Sequence, residues 1–166
     1  MASERFVDAL NAQIAREFAA AHQYVAIGTY YAKETYPRLA AFFYEQAEEE
    51  REHAMKMVDY LVDRDQQPAF DSIEAPKTTF TDHVEPIRLA LEQERSVTIR
   101  ISELFEIARE TRDYTSEQFM HWFLEEQVEE EASMSDLLAV AERTRTIPTL
   151  LEEYLAREKP GEHAGG

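Results

Sequence analysis

Four long stretches of this chain repeat apolar residues at alternating steps of four and three, and each is interrupted by acid at an inward position. The first runs Leu10, Ile14, Glu17, Ala21, Tyr24, Gly28, Tyr31, and the second Phe43, Gln46, Glu50, His53, Met57, Tyr60. The third reads Val84, Ile87, Leu91, Glu94, Thr98, Ile101, Phe105; the fourth reads Met120, Phe123, Gln127, Glu130, Met134, Leu137, Ala141. This spacing keeps one stripe of each helix pointed at a bundle axis.

The breakers agree. Only four Gly occur, two of them the last residues, so there is no phosphate-cradling glycine loop and little to punctuate strands. Ser3 can cap a first helix over roughly Glu4–Thr35, ending before Pro37. Pro37 suits the first turn of a second helix reaching about Gln67, and Gln67–Thr79, with Pro68 and Pro76, reads as a long exposed connection. A third helix is expected from roughly Thr81 to Glu110, with Pro86 tolerated near its first turn, and a fourth from Thr115 or Ser116 to Arg143. Pro148 opens a short amphipathic piece carrying Leu150, Leu151, Tyr154 and Leu155. The expectation is all-α: an antiparallel four-helix bundle over 1–145 with one long crossover between the second and third helices, a short fifth C-terminal helix over 146–158, and a flexible tail over 159–166.

Charge decides what such a bundle does. Seventeen Lys and Arg face 34 Asp and Glu, a formal net charge of −17, which argues against a nucleic-acid surface and against docking on an anionic membrane. The absence of Cys excludes disulfides and thiolate metal sites and fits a reducing, cytoplasmic setting. No signal-peptide-like segment and no apolar run long enough for a membrane helix are present.

Glu17, Glu50, Glu94 and Gln127 each fall about a dozen residues into their helix, so antiparallel packing brings them near one height. The spacing repeats: Glu17 to Glu50 is 33 positions, as is Glu94 to Gln127 (50 − 17 and 127 − 94). The second helix of each half adds a partner at i+3, Glu50-x-x-His53 and Gln127-x-x-Glu130. Clustered carboxylates in a low-dielectric core cannot all stay ionised alone, and no Lys or Arg lies nearby in the seams, Arg64 at an end being nearest. Divalent cations resolve the conflict. Glutamates plus one imidazole suit Fe(II), Mn(II) or Zn(II), and two metals sharing Glu50, with Glu130 as second candidate, balance the charge better than one. A solvated acidic face is the bland alternative, but it must then hold on every helix at one height.

The set Glu17, Tyr24, Glu49-Glu50-x-x-His53, Glu94 and Trp122-x-x-x-Glu126-Gln127-x-x-Glu130 resembles the bacterial non-haem ferritins over nearly the whole chain. The resemblance implies a cage of 24 subunits that oxidises Fe(II) with O2 or peroxide at a di-iron centre and stores ferric mineral. By position, Glu17, Glu50 and His53 would hold the first iron, Glu94 and Glu130 the second, with Glu50 bridging and Gln127 an outer or weak ligand. Tyr24 would donate a hydrogen bond or an electron, and Glu49, Glu126 and Glu129 would hold a third iron. Arg51 stands where bacterioferritins place a haem-ligating Met, and Gln127-x-x-Glu130 replaces their second Glu-x-x-His, so no haem is expected. Trp122 shares the stripe of Glu126 and Glu129 and is an electron donor or a packing residue, while Glu117 matches a channel-lining acid. His22, His83, His121 and His163 lack a seam context and read as surface or packing residues. Two rival readings stay open: a non-storage di-iron peroxidase or oxidase using the same ligands, and a metal-free helical interaction protein.

Overall fold

A computed structural model describes residues 2–158. It contains α1 (Glu4–Lys33), α2 (Pro37–Asp63), α3 (Glu85–Glu110), α4 (Tyr114–Arg143) and α5 (Thr149–Arg157), with no strand among the described residues. The expected tail over 159–166, including His163, lies outside the described residues.

Local chemistry sets the helix ends. Ser3 Oγ accepts from the Phe6 amide at 3.1 Å, and Asp113 accepts from the Ser116 amide at 3.2 Å, capping α1 and α4. Three helices close through a residue in the left-handed region: Thr35 after α1, Asp65 after α2 and Arg112 after α3. At each closure the next amide reaches back five residues, as in Tyr36 to the Tyr31 carbonyl at 2.8 Å. Asp65 and Asp82 also correct the expected boundaries. The turn at Asp65 stops α2 at Asp63 rather than Gln67, and Asp82 caps the amides of Val84 and Glu85, so α3 begins at Glu85 rather than Thr81. The crossover therefore spans residues 64–84, longer than the sequence indicates.

That length has a job. Phe6, Leu10, Ile14, Met57, Leu61, Ile101, Leu104, Met120 and Phe123 form one apolar cluster. Tyr24, Ile27, Tyr31, Leu39, Phe43, Val84, Ile87, Met134 and Leu137 form the other. Thus α1 and α2 run antiparallel, as do α3 and α4, while α2 and α3 both start at the Tyr31 end. The chain must return the full bundle length, about 40 Å for a helix like α2, before α3 can begin. Its way is held along α1: the Ala69 amide donates to Asn11 Oδ1, and Gln23 exchanges two bonds with the Lys77 backbone, all at 2.8 Å. Close approach of α1 to α2 needs Gly28, where a Cβ would stand 2.7 Å from the Tyr44 ring. Between the two apolar clusters lies a polar band at mid-height.

Candidate metal centre

The band holds Glu17, Glu50, His53, Glu94, Gln127 and Glu130, all buried, with Glu94 fully shut from solvent. α1 supplies Glu17, α2 Glu50 and His53, α3 Glu94, and α4 Gln127 and Glu130, and the antiparallel register brings them to one height. Ligand-type atoms of Glu17, Glu50 and His53 lie within 4.8 Å of one another, and so do those of Glu50, Glu94 and Glu130. Glu50 is common to both groups. His53 turns its Nδ1 toward them, 4.0 Å from Glu17 Oε2 and 3.9 Å from Glu50 Oε2.

Hydrogen bonds hold some of these oxygens and leave others bare. Tyr24, buried on α1, donates its hydroxyl to Glu94 Oε1. Gln127 Nε2 reaches the Glu94 carbonyl at 3.1 Å and its Oε2 at 3.2 Å. Gln13 donates to Glu17 Oε1 at 2.7 Å. By contrast Glu17 Oε2 and both Glu50 oxygens are buried with no partner. Native structures seldom leave such atoms orphaned, because an unpaired buried acceptor costs about 1–3 kcal/mol and more when charged. The donor set fits divalent metal: carboxylate oxygens and one imidazole, converging on a space with bare lone pairs.

Electrostatics point the same way. Burial pushes the Glu130 carboxyl up to about 9, helped by the charges of Glu94 and Glu49. Burial likewise raises Glu94, to about 7, against the hydrogen bonds from Tyr24 and Gln127 that favour its charged form. Glu50 is raised well above the carboxylate range by burial and then by Glu17 and Glu94. Tyr24 is held protonated by burial and the Glu94 charge.

A second zone opens on the α2–α4 face, a cavity of about 790 Å³ lined by Glu49, His53, Trp122, Glu126, Glu129 and Glu130, among others. Here His53, Glu126 and Glu130 form a third group with ligand atoms within 4.8 Å. Glu49 lines the same cavity and its charge helps raise the Glu130 carboxyl, while Glu129 lies exposed on the cavity wall outside that group. The sequence separated this zone from the buried six, yet His53 and Glu130 belong to both.

Trp122 is half-buried, edge-on to His53 at 5.6 Å. Glu117 pairs with Arg109 at 2.9 Å in the first turn of α4, Arg51 with Glu48 at 3.2 Å, and Arg64 with Asp113 at 3.4 Å. His22 and His121 are exposed, and His83 is half-buried, stacked on Tyr36 with its Nε2 unpartnered. The sequence reading passed over Gln13 and Glu131. Gln13 sits one turn before Glu17, a spacing that could have revealed it, whereas Glu131 reaches Thr98 Oγ1 at 2.8 Å only through the α3–α4 contact.

The family model described as a ferritin-like domain matches residues 7–144. A ferritin of Mycobacterium tuberculosis is 44% identical over 154 residues, covering 93% of this chain and 85% of the relative. A bacterial non-heme ferritin of Staphylococcus epidermidis is 46% identical over 161 residues, covering 95% and 97%. Among solved structures, an open-pore ferritin from the archaeon Archaeoglobus fulgidus superposes with a TM-score of 0.90 at 30% identity, covering 96% of this chain and 99% of that one. With its fold, its buried carboxylates and nearly its whole length matched, the chain belongs to the ferritin family, four-helix bundles that store iron.

Proposed function

We propose that this protein is an iron-storage ferroxidase, with iron as both substrate and cargo. Two Fe(II) ions are held between Glu17, Glu50 and His53 on one side and Glu50, Glu94 and Glu130 on the other. The observation that carries this reading is the pair of ligand groups sharing Glu50, whose two oxygens are buried and otherwise unpartnered. Each bound Fe(II) loses one electron, and O2 takes both with two protons and leaves as hydrogen peroxide; peroxide itself is the alternative oxidant. Anionic oxygen ligands favour the Fe(III) product. Tyr24 and Gln127 orient Glu94 through their hydrogen bonds, and Glu94 and Glu130 release protons as metal enters, because cations remove the reason for their raised affinity. A third iron, at Glu49, Glu126 and Glu129 with His53 and Glu130 nearby, stands on the way from the bundle to the mineral.

The same reading includes a homo-oligomeric cage of 24 subunits, a cytoplasmic setting, no haem, and neither nucleic acid nor membrane as partner. Arg51, tied to Glu48, supports the absence of haem, the net charge of −17 disfavours nucleic acid and anionic membrane, and the likeness to ferritins supports the cage. No helix of the described residues is long and apolar enough to cross a membrane. The test is gel filtration with iron staining after aerobic Fe(II) loading, beside initial oxidation rates for the parent and Glu50→Ala. Expected are iron eluting with a particle far larger than one subunit, and a variant slowed by at least about ten-fold, as for loss of a shared ligand. A small particle that turns over peroxide without accumulating iron would instead mark a non-storage enzyme, and a Glu50→Ala protein with the parental rate would remove the assigned bridge.

A further inference from the structure

Lys56, on the wall of the α2–α4 cavity, has an indole rather than an acid as its partner. Its Nζ stands 3.8 Å from the centroid of the Trp122 ring. Acids abound nearby: Glu52 and Asp59 sit within one turn of it on α2, and Glu49, Glu126 and Glu129 line the same cavity. Even so, among the described residues Lys56 makes no ion pair. Trp122 in turn meets His53 edge-on, centroids 5.6 Å apart at 83°, and Phe123 at 4.8 Å and 89°. The only indole of the chain therefore carries an ammonium over its face and meets the one imidazole of the candidate metal centre edge-on.

A cation over an indole face is attracted by the ring's negative quadrupole. Removing electron density from the ring forfeits that attraction and replaces it with repulsion, so the cation resists oxidation of the indole. We infer that Lys56 is a positioning residue acting through Trp122, keeping the indole electron-poor so that peroxide formed beside His53 spares the ring. Its use in the protein rests on the iron-oxidation reading above; the cation–indole chemistry does not. The reaction suppressed is oxygen transfer from hydrogen peroxide. In it the O–O bond breaks, a C–O bond forms on the pyrrole ring, the second oxygen leaves as water, and two electrons pass from indole to peroxide.

Two substitutions separate charge from cover. Lys56→Met keeps the reach of the side chain without its charge, and Lys56→Arg keeps the charge. Metal-free parent and variants, checked as folded by circular dichroism, are titrated with N-bromosuccinimide while loss of indole absorbance is followed. Lys56→Met is expected to react about five-fold faster and Lys56→Arg at the parental rate. Equal rates in all three, or an equal rise in both variants, would overturn the proposal. In a second arm the same proteins oxidise Fe(II) in air, and one-oxygen mass gain assigned by fragmentation to Trp122, apart from Met120 and Met134 of the same peptide, is counted per iron oxidised. A rise in Lys56→Met alone supports the protective role, and equal yields sink it. Failure of all three to oxidise iron refutes the iron-oxidation reading, and the reagent arm then decides the cation–indole chemistry separately.

Discussion

Glu50 carries a plain conflict: a carboxyl buried to 1% exposure, flanked by Glu17 and Glu94, with neither oxygen bonded. The proposed metal would supply the partner that both oxygens lack. Glu50→Gln should therefore have opposite effects on two measurements. At pH 9 the metal-free variant should melt above the parent by at least about 2–4 °C, the shift that ~1 kcal/mol produces in a domain of this size. Fe(II) binding, read by calorimetry, should fall by at least about ten-fold. A variant that melted no higher than the parent would show that the carboxylate is not strained without metal. Tyr24 works differently. Removing its hydroxyl takes away the hydrogen bond that favours charged Glu94, so Tyr24→Phe should raise the Glu94 pKa above about 7, detectable by isotope-edited NMR of the carboxyl carbon.

At the scale of elements, α2 has no cap of its own. Tyr36 offers no side-chain bond, Pro37 only spares one amide, and the carboxylate of Glu152 on α5 accepts from the amides of Arg38 at 2.8 Å and Leu39 at 3.1 Å. The short fifth helix thus supplies negative charge and two acceptors to the start of a long one. Glu152→Ala should cost about 1 kcal/mol, the usual worth of a helix cap, and should speed amide hydrogen exchange in Thr149–Arg157 and at the first turn of α2 together. Unchanged exchange in either segment would mean the two ends are not coupled through this contact. Arg112, by comparison, closes α3 with φ of 57°, a conformation glycine adopts freely. Arg112→Gly should therefore leave the melting temperature unchanged or raise it.

For the whole molecule the raised carboxyls translate into a pH profile. Glu94 at about 7 and Glu130 at about 9 bind protons more tightly in the folded chain than in the unfolded one, where both return to about 4.5. The native state then holds more protons across that window, so stability is greatest near and below 4.5 as far as these groups are concerned and declines as pH rises through 7 to 9. Thermal melts of metal-free protein between pH 5 and 9.5 should show that decline, and a divalent cation should abolish most of it while releasing protons. A metal-free melting temperature that stayed level or rose over this range would contradict the clustered-acid description.

Much of this was legible in one dimension. The steps of four and three marked most of the buried face of each helix, though α3 buries Val97, Leu104 and Ala108 where Thr98 and Phe105 were expected. The 33-residue echo of Glu17–Glu50 in Glu94–Gln127 marked the acids that meet at one height, because period and register are linear properties of a chain. Helix ends were less legible: Asp65 and Asp82 turn the backbone through local bonds that many polar residues could make. Contacts between elements were hidden altogether. Gln13 on Glu17, Glu152 on α2, the sharing of His53 and Glu130 by two neighbouring zones, and Lys56 on Trp122 all depend on which helix lies beside which and at what rotation. Sequence alone determined a helical bundle with acids in its buried stripes, since a period of alternating four and three turns those positions inward. Only tertiary packing decided which oxygens are left bare and which are bonded, because that depends on ångström-scale separations between side chains far apart along the chain.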